Sequence, residues 1–240
     1  MALEIGTIDT LHRFPVKSMR GEALESAALG WHGIEGDRRF ALRRVNERID
    51  FPWLSASRLP ALIDFTPLRR GGGDGPPTHV RTPEGAELEI FSDEFAADIA
   101  RRLGAPVEMM QLRNGIFDDG AVSVIAAGTA GEICRLGGCP VDIRRFRPNI
   151  LLRTAAAIPF EEDGWVGGTL TFGEGAGAPA VAVTARDVRC AMLNLDPDGG
   201  PSAPGMMKAA VQANGNNAGV YGTVIRAGRL EVGAKVYLQR

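Results

Sequence analysis

Hydrophobic residues along the chain fall in short runs that alternate with polar positions and end at glycine, proline or aspartate. Short runs with this punctuation, repeated every roughly 8–15 residues, are typical of the strands of a β-dominated barrel. The even alternation of strands and helices that builds a doubly wound sheet is missing from the pattern. Strands are predicted at residues 5–14, 23–29, 39–45, 62–68, 80–82, 88–91, 107–112, 122–126, 149–152, 169–172, 181–184, 222–226 and 235–238.

Three segments have helical periodicity instead. Ser92 is a suitable N-cap for a helix over Asp93–Leu103, whose apolar residues at i, i+4 and i+8 share one face. A second helix is predicted to begin at Thr129, with a glutamate at the capping-box position, and to end at the glycine pair 137–138. A third is predicted over residues 206–213. The predicted fold class is therefore β-rich α+β, with few and segregated helices.

The length of 240 residues is compatible with one large domain or two smaller ones. The glycine-rich segment 70–77 is either a domain linker or a connection between two neighbouring strands of one subdomain. A better boundary follows the first predicted helix, near residues 104–106. We therefore predict a β-rich N-terminal domain over residues 1–105 and a second domain over residues 106–240.

Composition restricts the location and the partners of the protein. The formal net charge of −2 argues against a general binder of nucleic acid or membrane surfaces. No apolar run approaches the roughly 18 residues that span a bilayer, and the N-terminus lacks the pattern of a signal peptide. We therefore expect a cytoplasmic protein with reduced cysteines and with neither a nucleic-acid nor a membrane partner.

Two segments resemble known ligand-binding motifs, a dinucleotide-binding loop and an iron–sulfur signature, but each lacks a feature that the motif requires. The glycine-rich segment 173–178 lies between two predicted strands, whereas a dinucleotide-binding loop needs a following helix, so a hairpin loop is predicted. Cys134 and Cys139 have the spacing that opens an iron–sulfur signature, but Asp142 occupies the place of the next ligand. The three histidines have no partner at metal-ligand spacing. Neither an iron–sulfur cluster nor a zinc site is expected.

Three clusters combine fixed cations with turn residues. They lie at residues 14–21, with Lys17 and Ser18, at 36–39, with Arg38, and at 144–149, with Arg145, Arg147 and Asn149. Arginine binds phosphate or carboxylate in a bidentate manner, and lysine adds a point charge. Each cluster taken alone is equally compatible with surface ion pairs, because the chain has 29 acidic residues.

A fourth element is the pair Arg189 and Cys190, which follows the predicted strand 181–184. A cysteine at a strand exit beside an arginine is well placed to react as the thiolate. Thiolates are ligands for soft or high-valent transition metals. A buried and inert cysteine is the alternative interpretation of this position.

Taken together and in this order, these elements resemble the MOSC family, which is related to the C-terminal domain of molybdenum cofactor sulfurase. The similarity is greatest to its bacterial and mitochondrial amidoxime-reducing members. The N-terminal part carries PVKSMRG at 15–21, GIEGDRRFAL at 33–42 and SASRLPAL at 55–62. The C-terminal part carries RFRPNILL at 145–152, RC at 189–190, LDPDGG at 195–200 and GVYGTVIRAGRLEVGAKVYL at 219–238.

The resemblance implies a MOSC β-barrel packed with a smaller β-rich N-terminal domain, with molybdenum cofactor in the cleft between them. It implies that Cys190 is the molybdenum ligand and the catalytic residue. The residues that would contact the cofactor are Lys17, Ser18, Arg38, Arg147 and Asn149. Further candidates for this pocket or its rim are Arg58, Arg145, Arg189 and Thr129. Pyridoxal phosphate, which some descriptions of the family mention, belongs to another domain of the sulfurase and is not expected here.

The resemblance also implies a function. It is the reduction of N-hydroxylated compounds, such as amidoximes or hydroxylamino bases, with electrons from a separate ferredoxin- or cytochrome-type protein and its reductase. The alternative is a carrier of molybdenum cofactor, or of a persulfide on Cys190, that has no turnover of its own. A non-catalytic scaffold is a third interpretation, because a fold does not determine a function.

Overall fold

The computed structural model describes residues 2–46, 51–71 and 75–240. These residues form three α-helices, which are α1 (Asp93–Leu103), α2 (Ala127–Gly137) and α3 (Pro204–Asn214). They also form the strands β1 (Leu3–Arg13), β2 (Glu22–Leu24), β3 (Ser26–Gly30), β4 (Gly33–Ile34), β5 (Phe40–Arg44), β6 (Thr66–Leu68), β7 (His79–Arg81), β8 (Glu87–Glu89), β9 (Val107–Gln111), β10 (Val122–Ala126), β11 (Ile150–Thr154), β12 (Thr169–Phe172), β13 (Ala180–Val188), β14 (Asn217–Arg226), β15 (Gly228–Glu231) and β16 (Lys235–Gln239). The structure is β-rich with few helices, which confirms the predicted fold class.

Seven strands close into a barrel in the order β1, β11, β10, β14, β13, β12 and β16, and β16 pairs again with β1. All neighbours are antiparallel except β10 and β11. Strand β1 closes the barrel because it pairs with β11 on one side and with β16 on the other. At Gly6, which faces both partners, a Cβ atom would lie 2.2 Å from the carbonyl oxygen of Arg153. Only glycine fits this close approach.

Strand β2 pairs with the end of β1 beside the barrel, and the other strands form three small sheets, β15-β3-β4, β5-β9 and β6-β7-β8. The barrel interior and the sheet β15-β3-β4 share one apolar core, and the sheets β5-β9 and β6-β7-β8 together with α1 enclose a second one that includes Phe40, Phe65 and Phe95. Helices α2 and α3 contribute to a third core. The division at residue 105 stays a prediction. Strand β1 from the N-terminal segment is part of the barrel that the later strands build, so the chain crosses between the first two cores more than once.

The first helix confirms its prediction in detail. Helix α1 begins after Ser92, whose hydroxyl accepts the backbone N–H of Phe95 at 3.2 Å, and it ends at Gly104 in the left-handed conformation. The predicted start of the second helix is wrong. Helix α2 begins at Ala127, and Thr129 lies within its first turn with its side chain bonded elsewhere. Helix α3 extends two residues before and one residue after its predicted range.

One loop prediction is confirmed, one of two alternatives for a second loop is supported, and one strand prediction is wrong in part. The segment 173–178 joins the antiparallel pair β12 and β13, as a hairpin loop should. The segment 70–77 connects the paired strands β6 and β7, and its residues 72–74 lie outside the described residues. The predicted strand 62–68 is a 3-10 turn over Pro60–Asp64, because Pro60 starts the turn, and β6 begins only at Thr66. Among the described helices none is long and apolar enough to cross a membrane.

A buried carboxyl group connects α2 to the barrel. Glu162 is fully buried, and its two carboxylate oxygens accept the Thr129 hydroxyl at 2.7 Å and the Ala126 N–H at 3.4 Å. Burial raises the pKa of Glu162 to about 7, although these hydrogen bonds favour the charged form. Thr129 also accepts the N–H of Phe160 at 2.6 Å, so the residue predicted at the cofactor pocket has a structural role.

The protonation of Glu162 predicts a pH dependence of stability. Between about pH 4.5 and 7 the folded chain holds a proton that the unfolded chain has lost, so the free energy of unfolding falls as pH rises through this window. The loss amounts to about 3 kcal/mol or less. Glu162→Gln is neutral at every pH, so its free energy of unfolding lacks this contribution. Between pH 4.5 and 8 we expect the free energy of unfolding in urea to fall by up to about 3 kcal/mol less in Glu162→Gln than in the wild type.

Glu25→Gln, at an exposed position, is the matched control and should follow the wild-type pH profile. An identical pH profile for Glu162→Gln and wild type would contradict the assignment of this buried proton.

Candidate functional site

A cavity of about 370 Å³ lies between the barrel and the N-terminal sheets. The barrel contributes Ser123 from β10, Asp187 from β13 and Tyr221 from β14. The loop after β1 contributes Lys17 and Ser18. A cleft between two packed units is a common location for a ligand site, because side chains from independent elements converge there.

Seven of the ten residues predicted for the site line this cavity, namely Lys17, Ser18, Arg38, Arg145, Arg147, Arg189 and Cys190. Asn149 lies directly behind it, fully buried, where its Oδ1 accepts the N–H of Ser123 at 3.1 Å and faces Arg38 Nη1 at 3.5 Å. Arg58 is exposed and Thr129 is buried in α2, and the structure places neither of them at the cavity.

Three cations are concentrated on one side of the cavity. The guanidinium groups of Arg147 and Arg38 lie 4.2 and 5.0 Å from the ring centroid of Phe14 and so share one aromatic platform. Burial, and then the charge of Arg38, lower the pKa of Arg147 to about 9, so the group is still a cation at neutral pH. Burial also lowers the pKa of Lys17, and Arg38 and Arg147 add to this effect. Such mutual repulsion favours the binding of an anion.

Acidic neighbours balance only part of this charge. Buried Asp37 accepts Arg38 Nη1 at 2.5 Å and the N–H of Phe14 at 2.7 Å, and Asp118 accepts Lys17 Nζ at 2.7 Å. Nη2 of Arg147 is buried and has no hydrogen-bond partner among the described residues. A buried donor without a partner costs about 1–3 kcal/mol, and an anionic ligand would satisfy it.

The backbone at these cations is strained. Ser18, Arg38 and Arg147 have φ angles of 67°, 48° and 50°, in the left-handed region that residues other than glycine rarely adopt. Each such residue costs about 1–3 kcal/mol, and they cluster where a site fixes side-chain direction. The strain therefore supports a binding role for the three positions.

Arg189 and Arg145 hold the walls of the cavity in place. Arg189 donates to the carbonyl oxygens of Phe146 and Ala218, both at 2.7 Å, and pairs with Asp187 at 2.9 Å. Arg145 donates to the carbonyl oxygen of Leu195 at 2.6 Å, and its Nη2 pairs with a carboxylate in the following turn. Because most of their donors already have protein acceptors, these two arginines position the cavity walls.

Cys190 brings an exposed thiol to the cavity. It follows the end of β13 and is the N-cap of the 3-10 turn Ala191–Asn194, while the hydroxyl of Ser57 donates to its sulfur at 3.6 Å. Cys134 is buried and Cys139 is half-buried, and both lie away from this cavity. Cys190 is therefore the thiol that a ligand in the cavity can reach.

The sequence did not indicate the polar group at the barrel wall. Ser123 donates to buried Asp187 at 2.9 Å, and Tyr221 also hydrogen-bonds to this carboxylate. Burial raises the pKa of Asp187 against the opposing charge of Arg189, and burial together with Asp187 raises the pKa of Tyr221. An aspartate or a tyrosine in a strand is ordinarily taken as solvent-facing, so only the closed barrel shows that these groups meet.

The family model of the MOSC domain matches residues 77–237, and that of the MOSC N-terminal beta barrel domain matches residues 5–116. The chain belongs to the MOSC family. MOSC domains are associated with ligands related to the molybdenum cofactor. The two matches overlap over residues 77–116, so they do not fix where one MOSC unit ends and the next begins.

One of the similar solved structures supports this fold. The crystal structure of the YuaD protein from Bacillus subtilis has a TM-score of 0.53 and 14% identity, covering 99% of this chain and 98% of that chain. The crystal structure of YiiM from Geobacillus stearothermophilus has a TM-score of 0.39 and 23% identity, covering 51% and 55%. No curated protein matches the chain. At these identities the likeness to YuaD shows a MOSC fold and nothing about activity.

The residues at the cavity fit the molybdenum cofactor. Its pterin carries an anionic phosphate, which suits the cationic side formed by Lys17, Arg38 and Arg147 and the buried Nη2 that has no partner. Its metal needs a soft ligand, and the cavity offers the thiol of Cys190. No group of three or more His, Cys, Asp or Glu residues within the described part of the chain could hold a bare metal ion.

Proposed function

We propose that this MOSC protein is a molybdenum-cofactor-dependent reductase of N-hydroxylated compounds, such as amidoximes and hydroxylamino bases. The observation that carries the proposal is the convergence of a reachable thiol and three cations, one buried and two half-buried, on one cavity. The thiol and the cations come from segments far apart in the chain, and the alternative of scattered surface ion pairs does not explain why they meet.

Each residue has a stated task in this proposal. Lys17, Arg38 and Arg147 would hold the phosphate and the pterin, and Cys190 would ligate the molybdenum. Asn149 fixes the direction of Arg38 from behind, at 3.5 Å. The bound cofactor supplies the two-electron reduction, and the protein supplies binding, orientation and electrostatics.

Conversion of an N–OH group to N–H releases water and consumes two electrons and two protons. Tyr221 lines the cavity with a phenol that keeps its proton, because burial raises its pKa, and this hydroxyl hydrogen-bonds to the carboxylate of Asp187. Tyr221 is therefore the cavity group best suited to hold a proton next to a substrate. Phe51 and Val188 also line the cavity and offer apolar surface to the substrate body.

The electrons would come from a separate ferredoxin- or cytochrome-type protein in the cytoplasm. A test of the reductase itself therefore uses an artificial donor. Protein purified from a host that makes molybdenum cofactor is mixed anaerobically with an aromatic amidoxime and a reduced viologen dye. We expect one amidine for every two viologen radicals oxidised.

The matched control is the same chain from a host that cannot make the cofactor, which should give no amidine. Bound cofactor without any turnover would favour the carrier of molybdenum cofactor or sulfur, and would contradict the reductase.

A further inference from the structure

A second cleft lies on the opposite side of the segment 36–40. Its volume is about 470 Å³, and it separates the sheet β15-β3-β4 from the ribbon β5-β9. Arg38 lines the cofactor cavity whereas its neighbour Arg39 lines this second cleft. The two sites are thus adjacent but separate, and the proposed function uses only the first.

This cleft is strongly cationic. It is lined by the five arginines Arg13, Arg39, Arg69, Arg113 and Arg229, and Glu35 is its only acidic lining residue among those that the structure describes. The whole chain, by contrast, has a net charge of −2. We call this site the arginine cleft. A local excess of positive charge on an acidic protein attracts an anionic partner.

The deep and the outer arginines differ in their partners. Arg13 and Arg69 share the carboxylate of Glu22, at 2.7 and 2.6 Å, and these pairs fix the floor of the cleft. The exposed side chain of Arg113 makes no hydrogen bond or ion pair with any described residue. Exposed Arg229 donates to the neutral hydroxyl of Ser26, and it lies 3.7 Å from the carboxylate of Glu231, which is equally exposed. The charge at the rim is therefore available to a ligand.

An exposed aromatic side chain adjoins this rim. Trp31 is 65% exposed in the two-residue turn between β3 and β4, and it borders a shallow hollow together with Arg39 and Arg113. Tryptophan and arginine are the residues most enriched among the anchors of protein interfaces. Because the ring is mostly exposed, it contributes little to the packing of the chain itself.

We propose that the arginine cleft and Trp31 dock an acidic segment of a partner protein. Guanidinium groups bind carboxylates in a bidentate manner, and the outer arginines Arg113 and Arg229 suit two carboxylates of one segment above a floor that Arg13 and Arg69 keep positive. The apolar ring beside these arginines favours a polypeptide over an inorganic anion. The proposal does not depend on the cofactor.

The test uses fluorescence anisotropy of a fluorescein-labelled octaglutamate peptide at low ionic strength. We expect binding that weakens as salt rises, because the outer contacts are exposed. Arg113→Glu and Arg229→Glu should each reduce affinity about tenfold. Trp31→Ala should reduce affinity as well. Arg135→Glu on α2, also at an exposed arginine and with the same change of charge, should not.

Absence of octaglutamate binding, or an equal loss in Arg135→Glu, would overturn the proposal. Binding of inorganic pyrophosphate without binding of the peptide would also overturn it, since the cleft would then belong to a small phosphorylated ligand. Molybdenum content and viologen-driven turnover are measured on the same variants. Arg113, Arg229 and Trp31 lie outside the cofactor cavity, so both values should stay at the wild-type level, which separates a failure of docking from a failure of the reductase.

Discussion

Cys190→Ser is expected to lose both its molybdenum and its turnover of N-hydroxylated substrates. The thiol is the soft ligand that the cavity offers, and a serine hydroxyl is a hard and weakly acidic replacement. Loss of a residue that hydrogen-bonds to a metal ligand already lowers metal affinity or activity about 10–100-fold. Loss of the ligand itself should therefore lower metal affinity about 100-fold or more. The measurement is metal content by mass spectrometry together with viologen-driven turnover.

Cys139→Ser is the matched control, because this cysteine is also a free thiol but lies beyond helix α2 and away from the cavity. Cys139→Ser should keep the molybdenum content and the viologen-driven turnover of the wild type. Because the Cys190 side chain is exposed, serine there should leave the free energy of unfolding within about 0.5 kcal/mol of wild type. Full metal content and full turnover in Cys190→Ser would show that the ligand assignment is wrong.

Arg147→Ala is expected to weaken retention of the pterin about 10–100-fold, which is the worth of one hydrogen bond to a charged group. The guanidinium of Arg147 packs 4.2 Å from the Phe14 ring centroid, and its Nη2 is buried without a partner. It therefore has both the position and the unused donor to hold an anionic group. Pterin fluorescence after oxidation, measured before and after dialysis, gives the retained fraction.

Arg58→Ala provides the comparison. The sequence proposes Arg58 and Arg147 for the same pocket, but only Arg147 lines the cavity. Arg58→Ala should therefore retain pterin as the wild type does. Equal loss in both variants would indicate a general electrostatic effect, and equal retention would remove Arg147 from the cofactor site.

The strands and the first helix follow from local patterns, but the closure of the barrel does not. Alternation and turn residues act over a few positions, and they place β1 and β11 correctly. Their pairing, in which Gly6 opposes Thr154, depends on the packing of the whole barrel. The same limit explains the partial error at 62–68, where Pro60 starts a 3-10 turn within an apolar run.

Some residues of the site can likewise be predicted from the sequence, and others cannot. Lys17, Arg38 and Arg147 lie in motifs with fixed cations and small turn residues, so the sequence indicates them. The resemblance offers Thr129 as a further candidate, but its hydroxyl donates to a buried carboxylate 33 positions later in the chain. No sequence motif indicates that Asp187 belongs to the site, because its hydrogen bond to Ser123 forms only where two strands distant in sequence face one cavity.

The central claim is that the cavity between barrel and N-terminal sheets holds molybdenum cofactor. Its most direct test is the molybdenum and pterin content per chain of the wild-type protein, purified from a host that makes the cofactor. We predict close to one molybdenum and one pterin per chain. A pure and folded chain with neither would contradict the claim.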